Sequence, residues 1–118
     1  MKLTKSSFSH KPELFVREGR KLRINFDTEE ETIKSEQGEY TLYKAYIVRV
    51  KMPISYSDIV STIIEEGYPE DEMQAIINNH LNDPYDLTKE SEYEMMQFWR
   101  RHAKEIAQQV VDEFQKTL

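Results

Sequence analysis

The hydrophobic pattern of this chain changes period once, at Pro53, and that change limits the fold more than any other feature. Upstream of it apolar residues alternate with polar ones; downstream they recur every three or four positions. Strand-like segments collected at the front and helical segments at the back specify an α+β class. The expected architecture is a small antiparallel sheet of about three strands followed by three helices, the last of them long.

The front half divides at its turn residues. Residues 1–11 are polar with scattered lysines and are expected to fray. From 12 to 52 the chain is β-rich. Leu14 and Val16 alternate up to a turn at Glu18-Gly19. Leu22, Ile24 and Phe26 then alternate with Lys21, Arg23, Asn25 and Asp27, the pattern of a half-buried strand, and Thr32 and Ile33 are available to extend it. Ser35 to Glu39 reads as a loop, with Gly38 able to take a positive φ. Tyr40 to Met52 is the strongest strand. Leu42, Lys44, Tyr46, Val48 and Val50 share one face, and Tyr43, Ala45, Ile47, Arg49 and Lys51 the other. Large groups on both faces suit a central strand, and Pro53, which cannot donate to the ladder, ends it.

Residues 55–118 are helical. Ser55 and Ser57 offer capping hydroxyls, Ile59, Val60, Ile63 and Ile64 follow at helical spacing, and Gly67 stands where a left-handed C-terminal residue is expected. Pro69 suits the start of the next helix, and Glu70, Asp71 and Glu72 complement its positive dipole end. Met73, Ile76, Ile77 and Leu81 form its apolar stripe, and Asn82-Asp83-Pro84 stops it. Thr88 opens the last helix. Met96, Trp99, Ala103, Ile106 and Val110 make a packing seam there, with Ala107, Val111, Phe114 and Leu118 as a second stripe beside it. Ile59, Ile63, Ile76, Trp99, Ile106 and either Leu42 or Ile47 are the expected core.

At 118 residues the chain is read as one domain, 1–118; a rival arrangement leaves the front hairpin detached from a separate helical bundle. The absence of cysteine removes disulfides, thiolate metal sites and thiol nucleophiles together. No stretch approaches the roughly 20 apolar residues that span a bilayer, and the first residues lack the apolar run of a signal peptide. These features lead us to expect a cytoplasmic protein with no membrane contact.

Net charge is −6, unevenly distributed. Residues 1–26 hold seven Lys/Arg against two acids, whereas residues 65–94 hold one against ten. Such polarity bears on partners and not on fold. The helix–Gly67–helix unit is excluded as a DNA reader, because its second helix opens Glu70-Asp71-Glu72 and contains no Lys or Arg to meet phosphates or bases. The front charges Arg17, Arg20, Lys21 and Arg23 form a candidate basic patch, although such charges also belong on the solvated face and edge of a small sheet. The acidic middle lacks the spacing of an EF-hand loop, and acids at helix starts are ordinary dipole complements. His80 and Asp83 could supply two metal ligands but no third. No serine sits in a glycine-flanked elbow, and three glycines are too few for a phosphate-cradling loop. We therefore expect no catalytic residues, no cofactor and no metal: this is read as a non-enzyme.

The aromatics are numerous for so short a list of aliphatics. Tyr and Trp fill cores, but they also add interface area at low entropic cost. Tyr43, Phe98, Val111 and Phe114 are the candidate interaction surface. Tyr43 to Val50, Tyr56 to Val60, Ile76 to Asn79 and Trp99 to Lys104 resemble segments of uncharacterised small proteins encoded in prophages and mobile elements of gut bacteria, over about residues 40–107. The resemblance implies a phage-related accessory or structural role and carries over no site residues. The functional expectation is a self-associating protein–protein interaction module; the alternative, less favoured, is a nucleic-acid accessory that uses the basic front of the sheet.

Overall fold

The computed structural model describes Met1–Leu118 and has the α+β class and element order set by the change of period. It forms two compact units: Thr4–Ile54, and Met1–Leu3 together with Ser55–Leu118.

The first unit is a four-stranded antiparallel sheet in the order β1-β4-β3-β2, one strand more than expected. Its strands are β1 (Ser6–Phe8), β2 (Phe15–Glu18), β3 (Lys21–Ser35) and β4 (Gly38–Lys51). β1 corrects the expectation that residues 1–11 fray: Ser6, Ser7 and Phe8 pair with Ala45, Lys44 and Tyr43 along the edge of β4. Lys5, just before it, donates to Glu29 Oε1 at 2.6 Å, and its Nζ lies 5.1 Å from the centre of the Tyr46 ring. Gly19, with φ 62°, makes the tight turn from β2 to β3.

Leu22 lies opposite Val50 and Ile24 opposite Val48, so all four share one face, and each is almost fully buried. Phe26 extends that face and stacks obliquely on Tyr46 across the strands at 5.4 Å. The other face departs from simple alternation at Asn25, which is buried as well. The segment before β2 accepts its hydrogen bonds. The Asn25 side-chain amide donates to Glu13 O at 2.8 Å and its backbone N–H to Leu14 O at 2.8 Å. Asn25→Ala should lower the unfolding free energy by about 1–3 kcal/mol, because the Glu13 carbonyl loses its donor in a site water reaches poorly. Urea titration followed by circular dichroism measures it, and a change within 0.5 kcal/mol, roughly that of an ordinary surface substitution, would contradict the role given to Asn25.

Between Phe26 and Glu29 the register shifts, and Asp27 takes φ 55° there, a conformation aspartate tolerates better than most residues. Beyond this bulge the β3–β4 ribbon is mostly exposed and closes through Glu36 and Gln37 alone. The expected loop at Ser35 to Glu39 is thus mostly strand: Ser35 pairs with Gly38 and Lys34 with Glu39.

The second unit holds α1 (Tyr56–Gly67), α2 (Glu70–Asn82) and α3 (Leu87–Gln115). Ser55 caps α1, its hydroxyl accepting from Asp58 N–H at 3.1 Å. Pro69 occupies the cap position of α2, one residue earlier than expected. Asp86 caps α3 through Lys89 N–H at 3.0 Å, so that helix starts at Leu87 rather than Thr88. At 29 residues α3 is about 44 Å long. No helix is long and apolar enough to cross a membrane.

The expected seam on α3 is buried throughout: Met96, Trp99, Ala103, Ile106 and Val110, with Ala107 beside them. Ile59 and Ile63 of α1 are fully enclosed, and Trp99 Nε1 donates to Ile63 O at 2.9 Å. Gly67 does not adopt the left-handed C-terminal conformation; it ends α1 with negative φ, and the Trp99 ring lies against it. A Cβ there would stand 2.8 Å from Trp99 Cε2. Lys2 N–H donates to Gly67 O at 2.8 Å, which ties residues 1–3 to this unit. α2 buries no residue fully, so Ile76 is half-buried instead of core; Leu42 and Ile47 are likewise half-buried. His80 of α2 stacks flat on Tyr93 of α3 at 4.2 Å.

Candidate interaction surfaces

Two surfaces stand out, one in each unit. On the sheet, the register sets Lys21 opposite Lys51 and Arg23 opposite Arg49, on the face away from Leu22 and Ile24. Like charges directly across a ladder repel. Glu18, paired with Lys21 on the neighbouring strand, relieves part of this: its carboxylate takes Arg49 Nε at 2.9 Å and an Arg23 terminal N–H at 3.0 Å. The Arg49 hydrogen bond, with the Arg23 charge beside it, holds the Glu18 carboxyl below the ordinary carboxylate range. A depressed folded-state value means this clamp contributes stability above the unfolded carboxylate pKa and loses it as pH falls through the folded one.

This basic face differs from the patch expected from sequence. Lys21 and Arg23 are part of it, but Arg17, opposite Leu22, points to the other face and bonds Gly19 O at 3.2 Å, while Arg20 sits in the turn. Arg49 and Lys51 take their place. Their signal was present in the alternation of the last strand, but only the β3–β4 register shows that they meet Arg23 and Lys21. Val16, Asn25 and Ile47 complete this end of the face; Phe8 and Tyr43, both half-buried, lie on the same side near the other end of β4.

The second surface lies on α3. Leu87, Met95 and Phe98 are 79%, 62% and 60% exposed. With Ser91 and His102 they recur at spacings of four, four, three and four, one continuous helical stripe beside the buried seam. His102 is half-buried and stacks on Phe98 at 5.9 Å, and its Nδ1 lies 3.6 Å from Glu105. After His102 the same face turns polar with Glu105 and Gln109.

Of the four expected contact residues, only Phe98 belongs to this stripe. Thirteen positions on, Val111 lies roughly 140° around the helix, and it and Phe114 are half-buried. Tyr43 is half-buried in the sheet between Phe8 and Glu30. Within the helical unit, then, Phe98 does not share a face with Val111 and Phe114, and Tyr43 belongs to the sheet unit. Leu87 and Met95 are the residues missed; their spacing from Phe98 was the available signal.

An open depression of about 290 Å3 lies at the α1–α2 junction, lined by Thr62, Glu65, Glu66 and Pro69. No group of three or more His, Asp or Glu side chains converges as a metal centre requires. The fold and these surfaces define an α+β protein with a basic sheet face and an apolar helix stripe. No protein-family model, curated protein or solved structure matches its sequence.

Proposed function

We propose that this protein is a non-catalytic interaction module that self-associates, working in the cytoplasm as an accessory or structural part of a phage-related assembly. The observation that carries the reading is the stripe of Leu87, Met95 and Phe98, three large apolar side chains left mostly in water on one face of a 29-residue helix. Single exposed apolar residues are ordinary; aligned ones mark contact sites. The phage-related part rests on the sequence resemblance alone.

Light scattering at low and high salt tests self-association. A species of at least twice 14.1 kDa that survives high salt is the expected result, since burial of apolar area is little affected by screening. A monomer at both salts, at concentrations approaching millimolar, would end the self-association reading.

The alternative of nucleic-acid contact has one observation in its favour, the convergence of Lys21, Arg23, Arg49 and Lys51 on one sheet face. Glu18 offsets part of that charge, and the rings on the face, Phe8 and Tyr43, are half-buried and about 20 Å along the strand from Arg49, too far to stack on bases held there. If this reading were right, single-stranded DNA would retain the protein with a log–log salt slope of about −2 to −3, the value for three or four neutralised phosphates. No retention at 50 mM salt, roughly where such contacts are strongest, would remove it.

A further inference from the structure

We propose that the α3 stripe binds a second copy of this chain, with the two α3 helices antiparallel and their two-fold axis near Gln97. This deepens the self-association reading and rests on it, naming the surface and the geometry. The occupant is identified by the charges beside the stripe. Glu94 and Arg101 flank it on one side, both exposed and neither paired within the chain. They stand symmetrically about a point between Gln97 and Phe98, and Glu90 and Lys104, further out on the same flank, stand symmetrically about Gln97. That flank reads acid, acid, neutral, base, base.

In an antiparallel pair of helices the same flank of each faces the other, so symmetric positions meet. Glu94 of one copy then faces Arg101 of its partner, twice over by the two-fold, with Glu90 facing Lys104 at the rim. The stripe is symmetric about a point between Met96 and Gln97, within one residue of the centre of the charges. Met95 meets Phe98 of the partner across the axis, a thioether against a ring, and Ser91 meets His102. A parallel, in-register pair would turn each copy's Glu94–Arg101 flank toward the opposite flank of its partner, where this self-complementary order of charges has no counterpart. A partner of unrelated sequence gives no reason for an exposed flank to complement itself.

The test measures dimer dissociation by sedimentation for the full chain and for E94R, R101E and the double variant E94R/R101E, with circular dichroism confirming that each exposed substitution leaves the helices intact. Each single variant should dimerise at least about tenfold more weakly than the parent, because both symmetric contacts become like-charged. The double variant should return close to parental affinity. An equimolar mixture of E94R and R101E should also regain it, as a heterodimer in which positions 94 and 101 are both basic in one copy and both acidic in the other. Phe98→Glu should abolish dimers in every background.

The failures are distinguishable. A parental monomer overturns both this inference and the self-association reading. A parental dimer indifferent to all three substitutions leaves self-association standing and overturns this interface. A dimer weakened by Phe98→Glu and by each charge reversal, with no recovery in either the double variant or the mixture, would overturn the antiparallel pairing of Glu94 with Arg101.

Discussion

Trp99→Ala should lower the stability of the helical unit by about 3–5 kcal/mol, a large share of the 5–15 kcal/mol typical of a small domain. Trp99 is 5% exposed and sits midway along the α3 seam. Its ring lies against Gly67, and its indole N–H reaches the Ile63 carbonyl at 2.9 Å. Alanine removes the largest side chain of the interface and leaves a void that the two helix backbones cannot close. Trp99→Phe separates the contributions: it keeps most of the ring area and deletes the hydrogen bond, which alone is worth about 0.5–1.5 kcal/mol. Since Trp99 is the chain's one tryptophan, its fluorescence in the parent reports unfolding of this seam specifically. The variants must be followed by circular dichroism in urea. A loss below about 1 kcal/mol for Trp99→Ala, the level of an ordinary substitution, would mean that α1 and α3 are held by something other than this ring.

How far the fold was legible depended on whether each signal was local. The cap at Ser55 and the seam from Met96 to Val110 are set by neighbours within a turn or two, and the sequence shows them directly. The long β3 and β4 strands were visible for the same reason, through alternation. β1 was not: Ser6, Ser7 and Phe8 have no periodicity of their own, and their partners lie more than thirty residues away on β4. Asn25 fails differently. Alternation assigns it correctly to the face opposite Ile24, but cannot reveal that its side-chain amide reaches the Glu13 carbonyl and its N–H the Leu14 carbonyl. The bulge at Phe26–Glu29 depends on the positive φ of Asp27, a conformation aspartate permits without announcing.

The surfaces were legible in part, for a related reason. Helical spacing alone unites Leu87, Met95 and Phe98, yet spacing cannot tell a stripe that packs from one that stays wet. Sequence reasoning therefore chose Val111 and Phe114, which are half-buried, alongside Phe98. The basic patch needed the strand register. Arg17 and Arg23 are close in sequence but on opposite faces, whereas Arg23 and Arg49 are distant in sequence and directly opposed.

Gly67 gives the second large effect, and its sign is the informative part. At the last residue of a helix Gly→Ala ordinarily stabilises, by up to about 1 kcal/mol, since alanine loses less backbone entropy on folding. That expectation applies where φ is negative, as it is here. Packing opposes it. The added Cβ would lie 2.8 Å from Trp99 Cε2 and 3.1 Å from Cδ1, well inside van der Waals contact. The ring cannot swing aside without losing Ile63 O, and the glycine cannot retreat without straining the bond from Lys2 N–H to its carbonyl. Overpacking of this kind costs about 1–3 kcal/mol, so Gly67→Ala should be net destabilising in the parent. In a Trp99→Ala background the obstruction is gone, and the same substitution should stabilise by about 0.5–1 kcal/mol. A double-mutant cycle in urea reads the difference directly, as a coupling of about 2 kcal/mol between residues in contact. Should Gly67→Ala stabilise both backgrounds equally, Gly67 would owe its place to backbone conformation and not to the Trp99 ring, and the close approach of α1 to α3 would not be what holds the seam.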